Sequence, residues 1–175
     1  MYKETESLRL FSAQVCPFAQ RTRLVLDTKG IEFELVEIDL DNPPPEFSTI
    51  SPYGKVPLLV IGDDRIWESA VINEYIEECF PEPPLLLGGP GERAWARIWI
   101  DYANNDFVPL FYKLLLLQTP EEQQTIAARL RESLLFLEQH ALTAAAPYWT
   151  GDRLSLVDLS FYPFFERFPV LEHFR

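Results

Sequence analysis

The sequence is poor in cysteine, histidine and basic residues, and each shortage narrows the choice of function. Its 175 residues include two cysteines and two histidines, and 15 Lys and Arg stand against 27 Asp and Glu, for a formal net charge of -12. Such a charge repels a phosphate backbone, so nucleic-acid binding is not expected. Cys16 and Cys79 are expected to be free thiols, because an apolar content of 47% can fill a core without a disulfide.

Long apolar runs are also lacking. The run at residues 114–117 is flanked by Lys113 and Gln118, far short of the roughly 20 residues that a membrane-spanning helix needs. The first residues, MYKETESLRL, contain no signal-peptide core. We therefore expect a cytoplasmic protein that has no contact with a membrane.

Short apolar runs alternate with helical patterns at the start of the chain. Apolar runs at residues 8–11 and 33–38 flank a helical pattern at residues 19–29, which Gly30 closes. This arrangement predicts a βαβ unit with two parallel strands and a right-handed crossover. A short, weak helix is expected after the proline-rich residues 42–45.

A hairpin and a further helix follow. Apolar runs at residues 56–61 and 65–67 lie on either side of a Gly-Asp-Asp turn, which predicts two antiparallel strands. Ser69 is expected to cap a helix that extends over residues 69–79. The order βαβαββα therefore predicts an α/β domain with a mixed four-stranded sheet in residues 1–80.

Prolines and glycines crowd residues 81–90, which predicts a linker between two domains. The patterns in residues 91–175 are helical throughout. One long or kinked helix is expected over residues 92–117, with Pro109 as the bend. Its aromatic residues are expected to form a core stripe, with a hydrophobic substrate pocket as the alternative. Another helix is expected to begin after Thr119, which precedes a proline.

Cys16 stands where the first strand is followed by the first helix. Amides at the positive end of a helix stabilise a thiolate, and Arg21 and Arg23 add positive charge nearby. An isolated cysteine is ordinarily a small buried hydrophobe, and this setting is what makes Cys16 a candidate nucleophile. Ala19 takes the place of a second cysteine in a Cys-x-x-Cys pair, so the expected redox chemistry uses one thiol. Neither histidine lies near these motifs.

Two further motifs can contact a ligand. The local sequence favours a trans peptide bond before Pro57, whereas a cis bond would turn the backbone of Val56 outward to pair with a peptide-like ligand. Glu68 and Ser69 begin a helix, where free amides and a hydroxyl offer either an anion site or an ordinary cap. In a βαβαββα fold these motifs converge beside the first helix.

Four motifs, in their order and spacing, resemble those of glutathione transferases. They are Cys-Pro-Phe-Ala-Gln-Arg-Thr (residues 16–22), Lys-Val-Pro (55–57), Glu-Ser (68–69) and Thr-Gly-Asp-x-x-Ser-x-x-Asp (150–158). The first is typical of the cysteine-dependent omega, lambda and dehydroascorbate reductase classes. The resemblance implies a thioredoxin-like glutathione-binding domain followed by an all-helical domain that is short for the family. It also implies that Ser155 and Asp158 form a capping box on a core helix.

The resemblance implies a role for each candidate residue. Cys16 would form and release a mixed disulfide with glutathione. The tripeptide would be held by five other residues: Phe18 and Lys55 would line it, Val56 would pair with its cysteinyl backbone, and Glu68 and Ser69 would hold its γ-glutamyl end. Omega-type relatives carry a glutathione-binding lysine in the segment that corresponds to residues 41–45, where this sequence has none.

The predicted function is a glutathione-dependent thiol transferase or dehydroascorbate-type reductase, with glutathione as co-substrate and a small electrophile or disulfide as the second substrate. No metal and no other cofactor is expected. The alternative is a non-catalytic binding or interaction module of the same fold, which would not need Cys16. The sequence leaves both a monomer and a homodimer open.

Overall fold

A computed structural model describes residues 7–141 and 146–174, with side chains up to residue 171. The chain divides into two compact units, Met1–Pro84 and Leu85–Arg175, and the boundary lies within the predicted linker. Each unit is described by itself. Among the described residues, no helix is long and apolar enough to cross a membrane.

The first unit contains a four-stranded sheet and three helices. Its elements are β1 (Leu8–Ser12), α1 (Pro17–Lys29), β2 (Glu34–Glu37), α2 (Phe47–Ile50), β3 (Leu58–Ile61), β4 (Asp64–Trp67) and α3 (Ser69–Cys79). The strand order is β2-β1-β3-β4, with β1 parallel to β2 and antiparallel to β3, and β3 antiparallel to β4. The predicted βαβαββα order and mixed sheet are therefore confirmed.

The two central strands form the core of this unit. All four residues of β3 are buried, as expected for an apolar run that is covered on both faces of the sheet. Leu10 of β1 pairs with Leu59 of β3, and both are fully buried. On one side, Phe11 packs against Phe47 of α2, with ring centroids 5.9 Å apart. Gly30 ends α1 in the left-handed conformation, at φ 66°, as its position after the helical pattern predicts.

Side chains from other elements fix α3. The prediction that Ser69 caps this helix is wrong: Glu68 occupies the cap position and Ser69 is the first helical residue. The Ser69 hydroxyl instead accepts a hydrogen bond from Arg21 Nη1, at 3.4 Å. Further along α3, Tyr75 donates to Asp64 Oδ2 at 3.0 Å. Partial burial and this bond raise the pKa of Tyr75, so the phenol stays protonated and keeps donating at neutral pH.

The second unit is helical, as predicted. Its elements are α4 (Pro90–Tyr102), a π-helical turn (Ala103–Phe107), α5 (Val108–Leu116), α6 (Pro120–His140), α7 (Leu156–Phe165) and α8 (Phe168–Phe174). The helix expected over residues 92–117 is thus divided by the π turn, just before Pro109. Pro109 is the second residue of α5, where its missing N–H is tolerated.

The predicted capping box at the start of α7 is confirmed. Asp158 Oδ2 accepts the Ser155 backbone N–H at 2.9 Å and the Ser155 hydroxyl at 2.6 Å. The other oxygen, Oδ1, accepts the backbone N–H of Trp149 at 2.8 Å. One carboxylate therefore both begins the helix and holds the turn that carries Trp149. The predicted cap at Thr119 is also present, since its hydroxyl accepts from the Glu122 N–H.

A buried lysine joins three segments of the first unit. Lys29 Nζ lies 2.7 Å from Glu77 Oε2, and both side chains are almost completely shielded from solvent. The same ammonium donates to the carbonyls of Phe80 and Pro83, each at 2.8 Å. This network connects the end of α1 to α3 and to the segment that follows α3.

We expect Lys29→Met to lower the free energy of unfolding by about 3–5 kcal/mol, because it removes the ion-pair partner of a buried carboxylate. The double variant Lys29→Met/Glu77→Leu should regain part of this loss, since no buried charge then remains at either position. Urea unfolding followed by tryptophan fluorescence measures both. Equal stability of the single and double variants would contradict a buried ion pair.

Candidate active site

Strand pairing brings the predicted motifs to one edge of the sheet. Phe11, near the end of β1, pairs with Leu58, the first residue of β3, and Leu58 pairs with Trp67, the last residue of β4. The segments that leave β1, enter β3 and leave β4 are therefore neighbours. These three segments carry Cys16, Val56 and Glu68 respectively.

A cavity of about 140 Å³ opens at this edge of the first unit. Five of the six predicted site residues line it, and the four other lining residues were not predicted. The lining residues are Phe18, Ser51, Tyr53, Lys55, Val56, Pro57, Trp67, Glu68 and Ser69. The sixth predicted residue, Cys16, joins the group through its contact with Val56.

Cys16 is the N-cap residue of α1 and is half-buried. Its side chain packs against a cluster of buried residues that includes Phe11, Phe47 and Val56. Its thiol donates a weak hydrogen bond to the carbonyl oxygen of Val56, with sulfur and oxygen 3.9 Å apart. The side chain of Cys16 accepts no capping hydrogen bond from the first amides of α1, and the positive end of this helix dipole lies at the thiol.

Arg23 holds the turn that leads to Cys16. Its Nη1 donates to the hydroxyl of Ser12 and to the carbonyl of Ala13, the latter at 3.1 Å, and its Nη2 donates to the carbonyl of Gln14 at 3.3 Å. The sequence predicts only that Arg23 adds charge near the thiol. The structure shows that it also fixes the backbone on which the thiol is carried.

One serine holds the loop that leads to Lys55 and Val56 in place through two hydrogen bonds. The buried hydroxyl of Ser51 donates to the carbonyl of Lys55 at 3.0 Å and accepts the N–H of the same residue at 3.1 Å. Gly54, at φ 61°, makes the turn that this loop requires. Lys55 is exposed and Val56 is buried, and the peptide bond between Val56 and Pro57 is cis rather than the locally favoured trans form.

Glu68 has a backbone conformation that non-glycine residues seldom adopt. Its φ of 68° and ψ of 114° make it the one non-glycine residue with positive φ among the described residues. Such strain costs about 1–3 kcal/mol and is concentrated at functional sites. Here it places an exposed carboxylate at the cavity, directly before the buried Ser69.

A buried arginine lies between two residues of the cavity. Arg21 is only 1% exposed, donates to Ser69 Oγ, and places its guanidinium carbon 5.1 Å from the ring centroid of Phe18. The sequence does not predict this arrangement, because an arginine in a helix is ordinarily exposed. Its charge lies behind two lining residues and favours an anionic group in the cavity.

Tyr53 and Trp67 are the two aromatic residues among the four lining residues that were not predicted. Their rings meet edge to face, with centroids 6.1 Å apart, and 61% and 36% of the two residues are exposed. A weak signal exists, since Tyr53 lies in the turn before Lys55 and Trp67 directly precedes Glu68. The pair gives the cavity an aromatic surface in addition to its charged residues, Lys55 and Glu68.

Two family models match the chain. The glutathione S-transferase N-terminal domain matches residues 15–79, and the glutathione S-transferase C-terminal domain matches residues 120–175. The chain belongs to the glutathione S-transferase family. The two matches cover the site of the first unit and most of the second unit.

Relatives and solved structures specify the class of this transferase. Glutathione S-transferase omega-1 of Sus scrofa is 33% identical over 166 residues, which cover 94% of this chain and 68% of the relative. The omega-2 enzyme of Homo sapiens is 32% identical, with 93% and 68% covered. The chain thus spans about two thirds of the length of these relatives.

A solved omega-class structure and a solved glutathione complex are both similar to almost the whole chain. Glutathione transferase Omega 3C from Trametes versicolor has a TM-score of 0.89 at 32% identity, covering 98% of this chain and 77% of that chain. Rice GST1, solved in complex with glutathione, has a TM-score of 0.85 at 30% identity, with 98% and 78% covered. This transferase is of the omega type, in a family that uses glutathione as its co-substrate.

We expect Arg21→Met to raise the Kd for glutathione about tenfold or more, because it removes a charge-assisted bond to Ser69 and the cation behind Phe18. Arg21→Lys should have an intermediate effect, since it keeps the charge but not the planar donor group. Arg65→Met, which removes an exposed charge from β4, is the matched control. Isothermal titration calorimetry measures the Kd, and a thermal melt verifies that each variant is folded. A Kd unchanged in folded Arg21→Met would show that Arg21 has no part in binding.

Proposed function

We propose that this transferase is a glutathione-dependent thiol transferase or dehydroascorbate-type reductase that works through a mixed disulfide on Cys16. The observation that carries the proposal is the contact between the Cys16 thiol and the Val56 carbonyl, at 3.9 Å, at the start of α1. Val56 also lines the cavity, so a peptide that pairs with its backbone lies beside the sulfur.

The cavity residues suit the γ-glutamyl and cysteinyl parts of glutathione. Ser69 and the amides at the start of α3, an 11-residue helix without a side-chain cap, suit the carboxylate of the γ-glutamyl group. The exposed Glu68 carboxylate suits the ammonium of the same group. Val56 pairs with the cysteinyl backbone, while Phe18 and Lys55 line the tripeptide.

The reaction requires two exchange steps. In the first, the Cys16 thiolate attacks the glutathione sulfur of a mixed disulfide, so that a Cys16–glutathione disulfide forms and the substrate leaves as a thiolate that takes up a proton. In the second, the thiolate of another glutathione attacks this disulfide. Oxidised glutathione leaves, and Cys16 returns to the thiolate.

The reduction of dehydroascorbate has the same electron balance. Two glutathione thiols lose two electrons and two protons and become one disulfide, and dehydroascorbate gains both and becomes ascorbate. The Cys16–glutathione disulfide is again the intermediate that the second glutathione resolves. The cycle therefore consumes two molecules of free glutathione with dehydroascorbate, and one with a glutathione mixed disulfide, which itself supplies the other half of the oxidised glutathione.

The position of Cys79 supports a mechanism with one protein thiol. Cys79 ends α3 and Ser69 begins it, so a rise of 1.5 Å per residue places them about 15 Å apart. Ser69 lines the cavity, and Cys79 is therefore remote from it. Both cysteines are free, as the sequence predicts. Resolution of the mixed disulfide thus falls to a second glutathione.

Replacement of Cys16 tests the proposal. We expect Cys16→Ala and Cys16→Ser to reduce glutathione turnover to the uncatalysed rate with both hydroxyethyl disulfide and dehydroascorbate, because each variant lacks the sulfur that forms the intermediate. Cys79→Ser is the matched control and should keep full activity. Intact-mass spectrometry after incubation with oxidised glutathione should show one adduct, located on Cys16 and released by reduced glutathione.

The alternative, a non-catalytic module of the same fold, gives a different result. Such a protein would bind glutathione without turning over either substrate, and Cys16→Ala would leave the Kd unchanged. Activity that persists in Cys16→Ala would exclude the mixed-disulfide mechanism. The two substrates are ranked by their kcat/KM in the wild-type protein.

A further inference from the structure

The second unit has a cavity of its own, of about 380 Å³, within the size range of small-molecule sites. It lies between the beginning of α4 and the turn before α7. We call it the α4 cavity, and its lining residues are Leu87, Gly91, Glu92, Trp95, Trp149 and Thr150. None of these residues belongs to the glutathione site, which the first unit contains.

Trp95 and Trp149 are two of the lining residues of the α4 cavity, and contacts with other rings hold both indoles in place. Trp99 packs against Trp95 and Trp149, with ring centroids 5.7 and 6.4 Å away. Trp149 also stacks on Phe161, with centroids 4.3 Å apart and an interplanar angle of 14°. The backbone N–H of Trp149 is fixed by Asp158 Oδ1. A ligand therefore meets preformed aromatic surfaces, which reduces the entropy lost on binding.

Core packing accounts for only part of this aromatic cluster. Trp99 and Trp149 are 5% and 7% exposed, and both belong to the buried core. Trp95, one turn earlier on α4, is half-buried and borders the cavity. The predicted aromatic stripe of α4 thus serves the core on one side and the cavity on the other.

The α4 cavity also contains a carboxylate that is oriented by the start of the helix. Glu92 lies in the first turn of α4, and its Oε2 accepts the backbone N–H of Gly89 at 2.7 Å. Glu92 is the one charged residue among the lining residues. Its negative charge therefore remains fixed beside the two indoles, in a chain whose formal net charge is -12.

We propose that the α4 cavity binds a flat aromatic cation. The face of an indole ring attracts a cation more strongly than any other aromatic side chain does, and Glu92 adds a Coulomb attraction. A planar ligand also buries the apolar surface of Leu87 and Trp95, which are both half-buried. Anions are excluded by the same carboxylate, so this site and the glutathione site select ligands of opposite charge.

The probe is N-methylquinolinium, and neutral quinoline at mildly alkaline pH is its uncharged counterpart of similar shape. We expect isothermal titration calorimetry to show saturable binding of N-methylquinolinium, with quinoline weaker by about fivefold or more. Binding should weaken as salt concentration rises, because Glu92 is exposed to screening. Equal affinity for the two probes would show a merely apolar cavity and would overturn the proposal, as would the absence of binding.

Glu92→Gln isolates the charge, because the glutamine carbonyl can still accept the Gly89 N–H and keep the helix start. We expect this variant to bind N-methylquinolinium about fivefold more weakly and quinoline with unchanged affinity. Glu121→Gln, which removes an exposed carboxylate from the first turn of α6, is the matched control and should change neither Kd. An equal response of the two variants would assign the attraction to the net charge of the protein and would refute the site.

Trp95→Leu tests the aromatic wall. The residue is half-buried, so the variant should fold, and a thermal melt verifies this. We expect a weaker N-methylquinolinium complex, again by about fivefold, since a cation–π contact is lost. Trp67→Phe, in the first unit, should leave the Kd unchanged. A larger loss of affinity in Trp67→Phe than in Trp95→Leu would locate the cation at the glutathione site and contradict the proposal.

Discussion

The register between β1, β3 and β4 is the constraint on which the proposed glutathione site depends. Phe11, Leu58 and Trp67 are aligned across the sheet, so three segments far apart in sequence leave the sheet at one edge. A slip of one residue would exchange the two faces of β3 and move these segments out of line. All four residues of the LLVI run of β3 are buried, so a slip would also move a buried apolar residue past the end of its partner strand.

Much of the site is predictable from the sequence because its residues occupy element ends. Glycine, proline and capping patterns locate those ends, and the βαβαββα order determines which of them converge. The burial of Arg21 and the edge-to-face contact of Tyr53 with Trp67 depend on packing between elements, for which a single sequence has no periodic signal. The cap of α3 was mispredicted for the same reason: Ser69 has a cap-type side chain, but Arg21 engages it from another helix.

Two of the few basic residues of this acidic chain lie in its interior. Lys29 and Arg21 are almost completely buried, each with a partner on α3. The surface field of a chain with net charge -12 opposes an anionic ligand, so glutathione must be attracted by local groups rather than by long-range steering. Helix amides, Ser69 and the buried Arg21 are such groups, and their effect is strongest where solvent is excluded.

The groups at the start of each helix determine whether the adjacent cavity favours an anion or a cation. The N-cap residues of α1 and α3, Cys16 and Glu68, make no capping hydrogen bond with their side chains, and the first turn of neither helix contains an acidic residue. The positive end of each helix dipole therefore favours a negative group. At the start of α4, Glu92 has already satisfied the N–H of Gly89, and what remains exposed to a ligand is the negative charge. The start of a helix therefore favours an anion where its first turn has no acidic residue, as in α1 and α3, and a cation where it has one, as in α4.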